Sequence, residues 1–202
     1  MTLQTSLLLR RRFTTARLNG VSPVSALPNP IEGWVSRSSL APGSDIETRN
    51  LFRDRPAVFA ADFIGLDGSS GGVIAEFGGI TRGACCGFRA NGDFVVRCGS
   101  GATLPNNNAA SFVISDHGIS GDGTLVVAFD IGAVTRVRAW WERRLVGEGV
   151  AINGQAFWAG EDKGTYLGEG RFSTIAGEFV SAAVPYLTAS PVRYYADRTI
   201  AG

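Results

Sequence analysis

The stretch Phe88-Arg89-Ala90-Asn91-Gly92-Asp93-Phe94-Val95-Val96-Arg97-Cys98 decides the fold class. Asn91-Gly92 accepts the positive φ that a two-residue hairpin turn demands, and it lies between two apolar runs. A hairpin is expected, with strands over Gly87–Arg89 and Phe94–Cys98. Working outward, half-buried alternation predicts strands at Val58–Ile64, Gly72–Phe77, Ser111–Ile114, Thr124–Asp130, Val134–Trp141 and Arg144–Val146. Turn signals at Gly65–Gly72, Gly118–Gly123, Ile131–Ala133 and Glu142-Arg143 separate them, giving about eight to ten strands.

Composition points the same way. The 202 residues include 27 Gly, 12 Phe and 4 Trp, with one Met and one Lys, so few windows sustain a helical apolar period without a breaker. An all-β antiparallel jelly-roll sandwich is the natural closure. The net charge of +1 creates no field that would select nucleic acid. No apolar run approaches the roughly 18 residues of a membrane-spanning helix, and no membrane partner is expected. The chain divides into an arm and Pro-rich linker over 1–32, the sandwich over 33–197 and a short tail over 198–202. Pro23, Pro28 and Pro30 uncouple the arm from the sandwich.

Two features could carry function. In Val134–Trp141, Val137, Ala139 and Trp141 fall on one face and Arg136, Arg138 and Trp140 on the other. The second set belongs on an outer or concave surface, where an indole stacks on a sugar or anchors a protein. In the competing reading a loop covers Trp140 as a second core tryptophan. The other feature is Leu7-Leu8-Leu9-Arg10-Arg11-Arg12-Phe13, whose apolar and basic side chains suit docking on a partner. The acid-free, Arg- and Thr-rich opening also suits an organellar presequence.

Sites of covalent and metal chemistry are sparse. Cys85, Cys86 and Cys98 make a poor disulfide framework and are expected as free thiols, with a Cys98 crosslink across the hairpin as the alternative. His117, the only histidine, sits in the turn-like Ser115-Asp116-His117-Gly118 and has no zinc partners at ligand spacing. Asp67, Asp116 and Asp122 are scattered loop acids, so no metal or cofactor is assigned.

Phe77-Gly78-Gly79, the Asn91-Gly92 hairpin, Leu125–Asp130, Val137-Arg138-Ala139-Trp140-Trp141, Leu145-Val146 and Tyr166-Leu167-Gly168 together resemble concanavalin A-like or laminin G-like jelly-roll domains. The resemblance spans about Asp62 to Gly170. The turn after Trp141 carries Glu142-Arg143-Arg144 where the family usually has Asp-Gly. Glucanases of this fold place two Glu and an Asp on one strand, because retaining hydrolysis needs two carboxyls about 5 Å apart. Glu76 and Glu161-Asp162 form no such set and read as solvated carboxylates. The leucine and arginine opening resembles the arms of bacteriophage virion proteins. That resemblance implies a non-enzymatic structural protein, oligomeric, assembled in the host cytoplasm and decorating a capsid or tail. The alternative is a lectin-like carbohydrate-binding module contacting glycan through Arg136, Arg138 and Trp140.

Overall fold

The computed structural model describes residues 36–47, 56–78, 82–100, 109–142, 144–152, 163–168 and 182–196. Thirteen strands are present among them, more than the alternation predicted. The first six are β1 (Ser36–Leu40), β2 (Asp45–Glu47), β3 (Ala57–Leu66), β4 (Gly72–Gly78), β5 (Arg82–Phe88) and β6 (Phe94–Ser100). Then come β7 (Ala109–Ile114), β8 (Gly121–Asp130), β9 (Val134–Trp141) and β10 (Arg144–Ile152). The last are β11 (Lys163–Tyr166), β12 (Thr188–Ala189) and β13 (Val192–Ala196).

They form two sheets. Sheet A runs β1-β13-β3-β8-β9-β10, with β12 added beside β3, and sheet B runs β2-β11-β4-β5-β6-β7. All ladders are antiparallel. The chain passes between sheets after β1, β2, β3, β7, β10 and β11, so neighbours in space are often distant in sequence, and the architecture is the expected all-β sandwich. Alternation then sorts the side chains. Phe59, Phe63, Leu125, Val127, Phe129, Val137, Ala139 and Trp141 of sheet A meet Ala84, Cys86, Phe88, Phe94, Val96 and Cys98 of sheet B in one core. Each fully buried Phe there contributes about 1.5–3 kcal/mol.

The central hairpin forms, but with a different turn. Phe88 pairs with Phe94, Gly92 N donates to Arg89 O at 2.8 Å, and Arg89 N donates to Asp93 O at 2.9 Å. The loop thus has three residues. Gly92 takes a φ of +86°, and Asn91 is not among the residues of positive φ. This is a turn closed by a left-handed glycine, not the two-residue type with two positive φ values.

The strand after Trp141 is also longer than predicted, reaching Ile152 instead of Val146. Gly147 and Gly149 look like breakers in sequence, yet they sit where β10 closes against β7. A Cβ on Gly149 would lie 2.2 Å from Ser111 O. The missing glycine of the Glu142 turn has a local explanation: Glu142 itself adopts a φ of +56°. Its N–H donates to Thr124 O and its carboxylate accepts from Thr124 N, both at 2.8 Å.

Candidate ligand-binding face

The predicted face on β9 has the expected sidedness but not the expected exposure. Val137, Ala139 and Trp141 enter the core, and Arg136, Arg138 and Trp140 point outward from sheet A. Only Arg136 is exposed, while Arg138 and Trp140 are both 5% exposed. Trp140 belongs to an outer apolar cluster with Val58, Ala60, Val126, Ala128 and Tyr195. The Arg138 guanidinium lies 5.4 Å from the Trp140 ring centre, and Nη2 donates to Asp130 Oδ2 at 2.6 Å. Burial pushes the Asp130 carboxyl above its ordinary range, partly offset by Arg138. Stacking of Trp140 on a sugar is therefore corrected to a covered indole under a cation. Alternation in the sequence shows sidedness; it does not show what lies over an outer face.

Next to this cluster, Asp62 Oδ1 accepts from Thr124 Oγ1 at 2.7 Å and Oδ2 from Arg193 Nη2 at 3.0 Å. These contacts tie β3, β8 and β13 together across the sheet. The arm residues Leu7, Leu8, Leu9, Arg10, Arg11, Arg12 and Phe13 lie outside the described residues, as do Glu161 and Asp162.

His117 has no free ring nitrogen. Ile119 N donates to Nδ1 at 2.8 Å, so the proton is placed on Nε2, which donates to Gly92 O at 3.0 Å. The ring lies 5.2 Å from Phe88 and 6.1 Å from Phe94, and Arg144 Nη2 donates to His117 O. It pins the β7–β8 loop to the hairpin turn, a structural task. Asp67 and Asp122 similarly accept backbone N–H groups, from Ser69 at 2.9 Å and Gly65 at 3.1 Å. Among the described residues no three His, Cys, Asp or Glu side chains are grouped as for a metal.

The outer face of sheet B holds what the sequence reading missed. Register aligns Thr165, Glu76, Cys85, Arg97 and Ser111 in one row across β11, β4, β5, β6 and β7. All five point away from the core by alternation, and Cys85 and Val95 form their own small cluster there. The flanking row is Gly78, Gly83 and Gly99, which offers bare backbone. Glycine inside strands marks positions where a ligand or another backbone approaches closely. Glu76 is fully buried, not solvated as expected, and Thr165 and Arg97 are each 4% exposed. Ser111, the direct neighbour of Arg97, is exposed, so the row opens to solvent at the β7 edge.

Arg97 is the chemically distinctive member. Its Nε and Nη2 are buried and have no hydrogen-bond partner. Desolvating a cation costs several kcal/mol unless it is paired, so the site holds unused donor capacity. One signal in the sequence could have pointed here: the outer positions of β4 to β6 read Glu76-x-Gly78, Gly83-x-Cys85-x-Gly87 and Arg97-x-Gly99, polar side chains set among glycines.

No described protein family matches the chain, and no curated protein does. Among solved structures it is similar to the Ruminococcus gnavus IT-sialidase CBM40, at 9% identity and a TM-score of 0.45, over 78% of this chain and 88% of that one.

Proposed function

We propose that the chain is a non-enzymatic, lectin-like carbohydrate-binding module whose contact surface is the outer face of sheet B. The supporting observation is exposed Ser111 at the β7 end of that face, where it brings the buried polar row Thr165, Glu76, Cys85 and Arg97 out to solvent. Sugar hydroxyls both donate and accept, and the exposed Ser111 hydroxyl at the β7 edge can do the same. A few convergent polar groups on a rigid scaffold are what fix ligand orientation. The row brings no proton donor and nucleophile together as a pair of carboxyls, so binding is the chemistry it suits. A structural role on a virion rests on the arm, which lies outside the described residues, and no feature of the β-domain adds to it.

Ser111→Trp tests this reading, because it fills the open end of the row from an exposed position. Glycan-array binding by the full chain should fall with Ser111→Trp and persist with Arg136→Trp, which alters the outer face of sheet A. Loss with Arg136→Trp alone would move the site to sheet A, and no glycan bound by the unaltered chain would remove the proposal.

A further inference from the structure

We propose that His117 is an acid-sensitive latch, which holds the β7–β8 loop to the β5–β6 hairpin while its imidazole is neutral and releases the loop on protonation. The latch stands whether or not the face of sheet B takes a glycan. Both ring nitrogens are committed, in opposite senses: Nε2–H donates to Gly92 O at 3.0 Å, and Nδ1 accepts from Ile119 N at 2.8 Å. A carbonyl can only accept and a backbone N–H can only donate, so these two partners fit one tautomer of the neutral ring. A proton added at Nδ1 would meet the Ile119 N–H head on and remove its acceptor. Ile119 is 1% exposed and its side chain belongs to the core, so while the loop stays closed that N–H has no water to turn to. The orphaned donor is satisfied only when the loop lifts away.

The surroundings leave that contact in control. Asp93 of the hairpin and Asp116 beside the ring in the loop favour an imidazolium, whereas Arg89, just after β5, and Arg144 of β10, whose Nη2 donates to His117 O, oppose it. Asp67, in the β3–β4 turn next to the hairpin, is tied to Ser69 N. Hydrogen bonds from Ser115 and Asn91 hold the Asp93 carboxyl below the ordinary carboxylate range, and Ser69 does the same for Asp67, so both stay charged from pH 8 to pH 5. Histidine is the side chain whose charge changes in that interval. The backbone can follow the change, because Gly118 and Gly121 stand on either side of Ile119 with φ values of +60° and +74° and can act as hinges.

The test follows the full chain by NMR at pH 8 and pH 5. It reads the His117 ring nitrogen shifts, which report the protonation of each nitrogen, together with hydrogen exchange of the Ile119 amide corrected for its intrinsic rate. At pH 8 Nδ1 should carry no proton and the Ile119 amide should be protected. At pH 5 both nitrogens should be protonated and the protection should fall about tenfold or more. His117→Asn supplies an acceptor that no acid in this range protonates, since an Asn side chain bonds the N–H two residues on. Its Ile119 protection should be the same at both pH values. Unchanged protection of Ile119 in the unaltered chain at pH 5, with the ring protonated or not, would overturn the proposal. An equal fall in His117→Asn would assign the acid sensitivity to another group and overturn it as well. If His117→Asn does not fold, the Val127 amide of β8 is the control: it should keep its protection at pH 5, and a matching loss there would make the change global and overturn the latch.

Discussion

Gly92 shows how much one backbone angle decides. Its φ of +86° lets the chain reverse in three residues, and the reversal sets Phe88 against Phe94 at a ring separation of 5.3 Å. It also presents the Gly92 carbonyl to His117, so the hairpin and the β7–β8 loop share one anchor. A β-branched side chain cannot take that conformation without strain. Gly92→Val should cost about 1–3 kcal/mol in urea-induced unfolding, and Gly92→Asn clearly less. Equal losses for the two would show that the left-handed angle is not what the position requires. The same comparison of residue and angle explains Glu142, which tolerates +56° because two hydrogen bonds to Thr124 hold it.

At the scale of elements, β10 closes on β7 with no room for a side chain at Gly149. Gly149 would place a Cβ 2.2 Å from Ser111 O, 2.4 Å from Ser111 C and 2.8 Å from Ser111 N, all backbone atoms that cannot rotate away. Gly121, by contrast, has a φ of +74° with nothing near a Cβ. Gly149→Ala should therefore force the strands apart and cost more than Gly121→Ala, with overpacking penalties of about 1–3 kcal/mol. Thermal unfolding of both variants checks the order. A displaced β7 should also weaken glycan binding at exposed Ser111, which ends the polar row.

Across the whole molecule, burial of acidic thiols and phenols sets the alkaline limit. Burial pushes the Cys86 thiol from an ordinary 9.0 up to about 12, and raises Cys98, Tyr166 and Tyr194 as well. A raised value in the folded state means that the unfolded chain loses its proton first. The stabilisation is fully present below about pH 9 and is lost as pH rises toward 12. Melting temperature should fall steeply over that window, and Cys86→Ala should make the fall shallower. All three cysteines are buried and none is in a disulfide, with Cys85 and Cys86 on opposite faces of β5. Iodoacetamide without reductant should label none of them in the native chain and three after denaturation; a crosslinked Cys98 would leave fewer.

Sequence by itself determined the class of fold and the sidedness of its strands. Glycine frequency, the Asn91-Gly92 turn and the period-two pattern of Val134–Trp141 are local properties, and local properties are set by neighbours along the chain. Strands β1, β2, β11, β12 and β13 were illegible because they are short and earn their pairing from partners far away, as Arg193 does from Ala60. The candidate site was hidden for the same reason. Glu76, Cys85 and Arg97 come from three strands, and only sheet registry puts them in one row. Burial of Trp140 and Arg138, and the empty fork of Arg97, were likewise decided by tertiary structure, since exposure of an outer face depends on what the fold lays over it.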